Sequence, residues 1–171
     1  EDTGAVPAAG TLGFGATTPL TFASGGNLYV AVTDANGAPG VGFGTVNAAG
    51  GLTVSSSFTA PFNVELISYT PGPDQSSFTD ATGFNFYVPY SWVIASSPTT
   101  ISGFTTGSIV VDTSEFSNDT NGGLFTVADT GNTLVLNFTP APEPSTWAMI
   151  AGGGALLGLA GLRRSRRVRA G

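Results

Sequence analysis

Leu124-Phe125-Thr126-Val127-Ala128-Asp129-Thr130-Gly131-Asn132-Thr133-Leu134-Val135-Leu136-Asn137-Phe138-Thr139 decides how the rest of the chain is read. Phe125 and Val127 alternate with Thr126, and Leu134, Leu136 and Phe138 alternate with Val135 and Asn137. A period of two belongs to a strand, whose successive side chains point to opposite faces. Between the two runs, Asp129-Thr130-Gly131-Asn132 supplies the residue types that reverse a chain, so the stretch predicts a β-hairpin. A second turn is expected at Asp34-Ala35-Asn36-Gly37, after the alternating Leu28, Val30 and Val32.

Outward from the hairpin, short apolar or Thr-rich runs recur between clusters of Gly, Asn, Asp, Ser and Pro. The expected strands are 12–15, 27–33, 41–46, 52–58, 63–68, 84–88, 91–95, 108–111, 124–128 and 133–139. Residues 71–80 read as a loop between strands. No apolar pattern of helical period has useful length before residue 145, and no convincing internal repeat is visible. Closely spaced strands without intervening helices predict an all-β body, an antiparallel β-sandwich or jelly-roll-like fold over residues 1–139.

Composition narrows the chemistry. The chain has 171 residues, of which 9% are charged, with 25 Gly and 11 Pro and neither His nor Cys; Lys is absent too. A Ser-His-Asp triad, a Cys-His pair, a His or Cys zinc site, a Schiff-base lysine and a disulfide are therefore excluded. All five basic residues lie at 163–169, whereas ten of the eleven acids lie in residues 1–142, a segment of formal charge −10. Such a body repels phosphate, so no nucleic acid is expected as a partner.

At Pro140 the composition breaks. Pro140-Ala141-Pro142-Glu143-Pro144 is a stiff, extended linker, since each proline fixes its own φ and restrains its predecessor. An uncharged stretch then runs to Leu162. As a helix, the eighteen residues 145–162 would span roughly 27 Å, close to a bilayer core of about 30 Å. Trp147 stands at one end and the arginines at the other, which orients the body outside and Arg163, Arg164, Arg166, Arg167 and Arg169 in the cytoplasm. A buried core helix is the competing reading. Five glycines inside the run make a poor helix in water, while lipid forces the backbone to satisfy itself. A surface-lying amphipathic helix is disfavoured because the arginines collect at one end. Gly154-Ala155-Leu156-Leu157-Gly158 fits the small-xxx-small spacing of packed membrane helices, although a short Gly-rich helix also suits easy extraction. The expected organisation is a β-rich body at 1–139, a Pro-rich linker at 140–146, a single transmembrane helix at 147–162 and an Arg-rich cytoplasmic tail at 163–171.

Pro142-Glu143-Pro144-Ser145-Thr146-Trp147, the apolar span and the arginine cluster, in that order, resemble a PEP-CTERM sorting signal. The resemblance covers residues 140–171 and leaves the body's fold open. It implies export in a Gram-negative-type bacterium and transient insertion in the inner membrane. It further implies processing by an exosortase-like membrane transpeptidase, then delivery to the cell surface or extracellular matrix. The prolines keep the recognition peptide out of sheet and helix, and Glu143 is the one charge between Asp129 and Arg163. The chain starts at Glu1 with no apolar leader after it, and prior removal of a secretory signal peptide is expected.

Two features of the body are candidates for chemistry or binding. Asp112, Glu115 and Asp119 lie in one polar stretch; it reads first as a solvated loop, then as a weak Ca²⁺ candidate without EF-hand spacing, and last as a glycosidase carboxylate pair. Phe84-Asn85-Phe86-Tyr87-Val88-Pro89-Tyr90-Ser91-Trp92 puts aromatics at alternating positions if a strand runs through Pro89. Core packing is the first expectation there, and a sugar-stacking platform from Tyr87, Tyr90 and Trp92 the second. The function expected is that of a non-enzymatic, cofactor-free protein of the cell surface, exopolysaccharide matrix or biofilm. The alternative is a glycan-binding module, Ca²⁺-assisted or not, delivered to the same place.

Overall fold

The computed structural model describes residues 9–70 and 78–142. Among them the chain forms ten strands and no helix. They are β1 (Thr11–Phe14), β2 (Leu20–Phe22), β3 (Asn27–Val32), β4 (Thr45–Ala48), β5 (Leu52–Val54), β6 (Phe62–Ser68), β7 (Tyr90–Ser96), β8 (Ile109–Glu115), β9 (Leu124–Asp129) and β10 (Thr133–Thr139).

The strands assemble into three sheets, in the orders β1-β4-β7-β10-β9, β2-β5 and β3-β6-β8. The chain visits the sheets in the same sequence each time round: β1, β2, β3, then β4, β5, β6, then β7, a Thr53–Ser102 bridge and β8. All strand pairings between successive rounds are parallel, as is the Thr53–Ser102 bridge. This is a β-solenoid of three coils, with each coil hydrogen-bonded to the next: Leu20 N donates to Gly51 O, Asn63 N to Gly26 O and Val54 N to Ser102 O. Among the named strands, only the β9–β10 hairpin, which extends the first sheet beyond β7, pairs antiparallel.

The all-β expectation therefore holds, and the antiparallel sandwich or jelly roll is corrected to stacked parallel strands with an antiparallel end. Alternation reports that a strand has one face inside; it carries no sign of the neighbour's direction. Here each strand's partner lies one full coil away in sequence, and such a return leaves the two strands pointing the same way.

Inward side chains form ladders down the stack. Leu12, Val46 and Ala95 succeed one another in the first sheet. Leu20 and Leu52 do so in the second, and Leu28, Val64 and Val111 in the third. Phe22 and Phe62 stack with ring centroids 4.3 Å apart where the second and third sheets meet. A bulge at Leu134/Val135 sets one step of β10 against two residues of β7, and Ile94 and Ala95 are both buried there. Beyond β7 and β8 the stack is closed by rings: Phe84 packs on Phe116 at 5.1 Å and Phe138 at 5.0 Å, and Phe125 on Phe138 at 4.9 Å.

Several boundaries differ from the expected ones. Residues 41–44 turn before β4, so the expected strand at 41–46 is displaced forward, and residues 84–88 are largely turn. Pro89 explains the latter, because the ring cannot donate to a ladder and β7 begins at the next residue. β5 stops at Val54, well short of 58, while β8 runs four residues past 111, to Glu115. β2 is an additional strand; Pro19 and three residues of strand give too short a pattern to read. The two expected turns are present: Gly131 N and Asn36 N donate to the carboxylates of Asp129 and Asp34, each two residues back.

Candidate functional site

The acidic stretch is built differently from a loop. β8 carries Asp112 and Glu115 on a strand, and the register places Asp112 beside Glu65 of β6. Glu65 lies on the outward face because Val64 and Leu66 on either side of it are fully buried. In the same sheet Asn63 Nδ2 donates to Asn27 Oδ1 at 3.0 Å on that outward face, which also carries Tyr29 and Val110. Partial burial, with Asp112 and then Glu115 nearby, raises the Glu65 pKa above the ordinary glutamate value. Asp112 goes the other way: the Ser114 backbone N–H donates to its carboxylate at 2.8 Å, the Ser114 hydroxyl assists, and the pKa falls below the ordinary aspartate value.

Asp119 belongs to the following turn, where its Oδ1 accepts from Asn121 N at 2.8 Å. The neighbouring Asn118 amide is committed to the Ala81 backbone in both directions. Among the described residues no group of three carboxylates is placed to hold a metal ion, so Asp112, Glu115 and Asp119 do not converge as a Ca²⁺ ligand set. Asp119 lies apart in the turn after β8, while Asp112 and Glu115 pair along β6 with Glu65 and Ile67 across a bulge.

The aromatic candidates separate as well. Trp92 is 2% exposed, and its indole N–H donates to Ala35 O at 2.9 Å. The indole stacks on Tyr90 and Phe125, with centroids 5.4 and 6.1 Å away. Tyr90 is buried too; its hydroxyl donates to Gly83 O and accepts from Asn85 N. Tyr87 alone of the three presents its ring to solvent, at 59% exposure, packed against Phe86. Tyr87, Tyr90 and Trp92 thus form no common exposed platform. A cavity of about 350 Å³ beside them is walled by Asn36, Pro39, Phe43, Pro89, Ser91 and Trp92.

Two further cavities open at the first coil: one of about 250 Å³ between β1, β3 and β4, reaching Ile94 of β7, and one of about 260 Å³ between β1, β2 and β3. None of these three cavities has a carboxylate in its lining. The sequence gives no sign of the first-coil cavities, because a strand's pattern does not reveal whether another strand follows on its outer side. Of the sorting motif, Pro142 is described and is exposed. Glu143, Pro144, Ser145, Thr146 and Trp147, the expected transmembrane segment and the five arginines all lie outside the described residues. No described helix is long and apolar enough to cross a membrane. No protein-family model matches the chain, no curated protein matches it, and no solved structure matches it.

Proposed function

We propose that the protein is an exported, non-enzymatic component of the cell surface or extracellular matrix, sorted and processed through its C-terminal PEP-CTERM-like signal. One observation carries the reading: a Pro-Glu-Pro motif, an uncharged span of bilayer length and an arginine cluster follow one another in that order at residues 142–169. An exosortase-like membrane transpeptidase would act on the extended peptide at the outer membrane–water boundary. Glu143 would be its charged recognition group, and the arginines would hold the span at the correct height. The body suits a scaffold better than a catalyst, since it offers no basic side chain to balance developing negative charge.

The test is processing in a host that makes an exosortase. Intact-mass measurement of the released protein is expected to give a C-terminus within residues 142–146. Deletion of residues 163–171, or Glu143→Ala, is expected to leave an unprocessed, membrane-associated precursor. Export and maturation of both variants at the rate of the unaltered chain would refute the proposal.

A further inference from the structure

The two ends of the solenoid are unlike. At the far end, the β9–β10 hairpin and the Phe84, Phe116, Phe125 and Phe138 rings cover the last coil. At the first coil, residues 42–44 cover only the end of the β3 edge, where Gly44 N donates to Ala31 O and Thr33 N to Gly42 O, and no described residue hydrogen-bonds to the outward backbone ahead of Ala31. The ladder positions show it directly. Leu12 is 55% exposed, whereas its successors Val46 and Ala95 are at most 2% exposed. Phe14, Leu20 and Leu28 are likewise only partly buried, above the fully enclosed Ala48, Leu52 and Val64. The apolar interior thus reaches the surface here, and the two first-coil cavities are its openings.

The backbone is open at the same end. Gly10 O and Phe14 O accept from the second coil, as do Phe22 O and Gly26 O. By strand alternation the peptide groups of Thr11, Gly13, Thr21, Asn27 and Tyr29 face outward, away from β4, β5 and β6. Soluble proteins blunt such edges with charge or proline. Here residues 9–33 contain no Asp, Glu, Lys or Arg, and their one proline, Pro19, stands just ahead of β2. Of the body's ten carboxylates, Asp34 directly follows the first coil, Glu1 and Asp2 lie outside the described residues, and Asp112, Glu115, Asp119 and Asp129 lie toward the far end.

We infer that the first coil is a self-association surface, on which a second copy of this chain docks end to end with the first coil facing the first coil. The charge distribution selects this partner and this orientation. Two copies of an acidic body repel wherever carboxylates face each other, and the neutral first coil is the face where they do not. A two-fold axis through the β1 edge opposes β1 to its own copy and β2 to the partner's β3; each pair runs antiparallel and can accept and donate the outward hydrogen bonds. Both apolar interiors are then covered at once. The inference is independent of the sorting reading, since it uses only the body.

The chain has no cysteine, so one introduced thiol reports one position. Gly13 suits it: a side chain there meets nothing within 4 Å. Leu124, exposed on β9 at the opposite edge of the same sheet, is the control. In full-length protein kept in mild detergent, Gly13→Cys is expected to give a disulfide-linked dimer several-fold faster than Leu124→Cys. Sedimentation of the unaltered chain is expected to give twice the chain mass. Gly13→Asp, which sets two carboxylates face to face without touching the fold, is expected to restore the monomer with an unchanged circular dichroism spectrum. Three results would overturn the inference: a monomeric unaltered chain, as when residues 1–8 or another protein cover the coil; equal cross-linking at both positions; or mixed Gly13–Leu124 cross-links, which signify head-to-tail stacking.

Discussion

At the scale of single residues, the side chains that look most like binding groups are structural. Trp92 fills the interior between Tyr90 and Phe125 and satisfies the Ala35 carbonyl with its indole N–H. Trp92→Ala is expected to destabilise the fold by about 3–5 kcal/mol in urea titrations, the usual cost of emptying a large core site. Trp92→Phe keeps most of the packing but strands a buried carbonyl, and should cost roughly 1–3 kcal/mol. Glu65 acts in the opposite sense. Its folded pKa is raised by partial burial and by Asp112 and Glu115, so the folded state holds this proton more tightly than the unfolded chain does. As pH rises from the ordinary value of 4.5 through the raised one, this carboxylate withdraws stability. Glu65→Gln should therefore melt higher than the unaltered chain at neutral pH, and the advantage should vanish below about pH 4.5 in thermal scans. A constant difference at every pH would mean that packing rather than ionisation is responsible. Asp112 has the reverse sign: its lowered pKa contributes stability above the ordinary 3.8, lost as pH falls through the folded value.

At the scale of elements, the sequence shows each strand's inner face and hides the identity of its neighbour. The hairpin at 124–139 is legible because its turn residues and both alternations sit within one short stretch, and β9 and β10 pair as that pattern requires. The parallel pairings are not, because the coils are of unequal length: the register steps by about 34 residues from first to second coil and about 48 from second to third, which hides the repeat. The alternation of Tyr90 and Trp92 puts them on one face, and that face is the interior. Asp112 and Glu115 look like loop because β8 ends in polar residues; its pairing with β6 keeps it extended as far as Glu115. One glycine tests the coil stacking. Gly103 has φ +80°, and a Cβ there would run into the Val54 carbonyl oxygen, which belongs to the coil beneath. Gly103→Ala should cost more than about 1 kcal/mol by urea titration, from a left-handed backbone and a backbone clash together. Gly13→Ala, with nothing within 4 Å, should fall within about 0.5 kcal/mol of the unaltered chain.

At the scale of the whole molecule, the body is a unit that ends at Pro140. Among the described residues of the body, the buried core runs from Phe22 to Phe138 and is built from the body's own side chains. Such a core would suit the processing proposed above, because a cut that removed part of it would unfold the product. The expected consequence is that a body ending at Pro142 unfolds cooperatively, with a midpoint within about 3 °C of the full-length chain's, which corresponds to roughly 1 kcal/mol in a chain of this size. Thermal scans of the two proteins in the same detergent make the comparison. A fall in midpoint much beyond that would mean that residues 143–171 contribute to the body's stability, and release at the Pro-Glu-Pro motif would then yield a weakened product. The same scans, repeated over a range of protein concentration, separate this property from end-to-end docking. Docking of folded copies raises the midpoint with concentration, whereas a contribution from the tail does not depend on it.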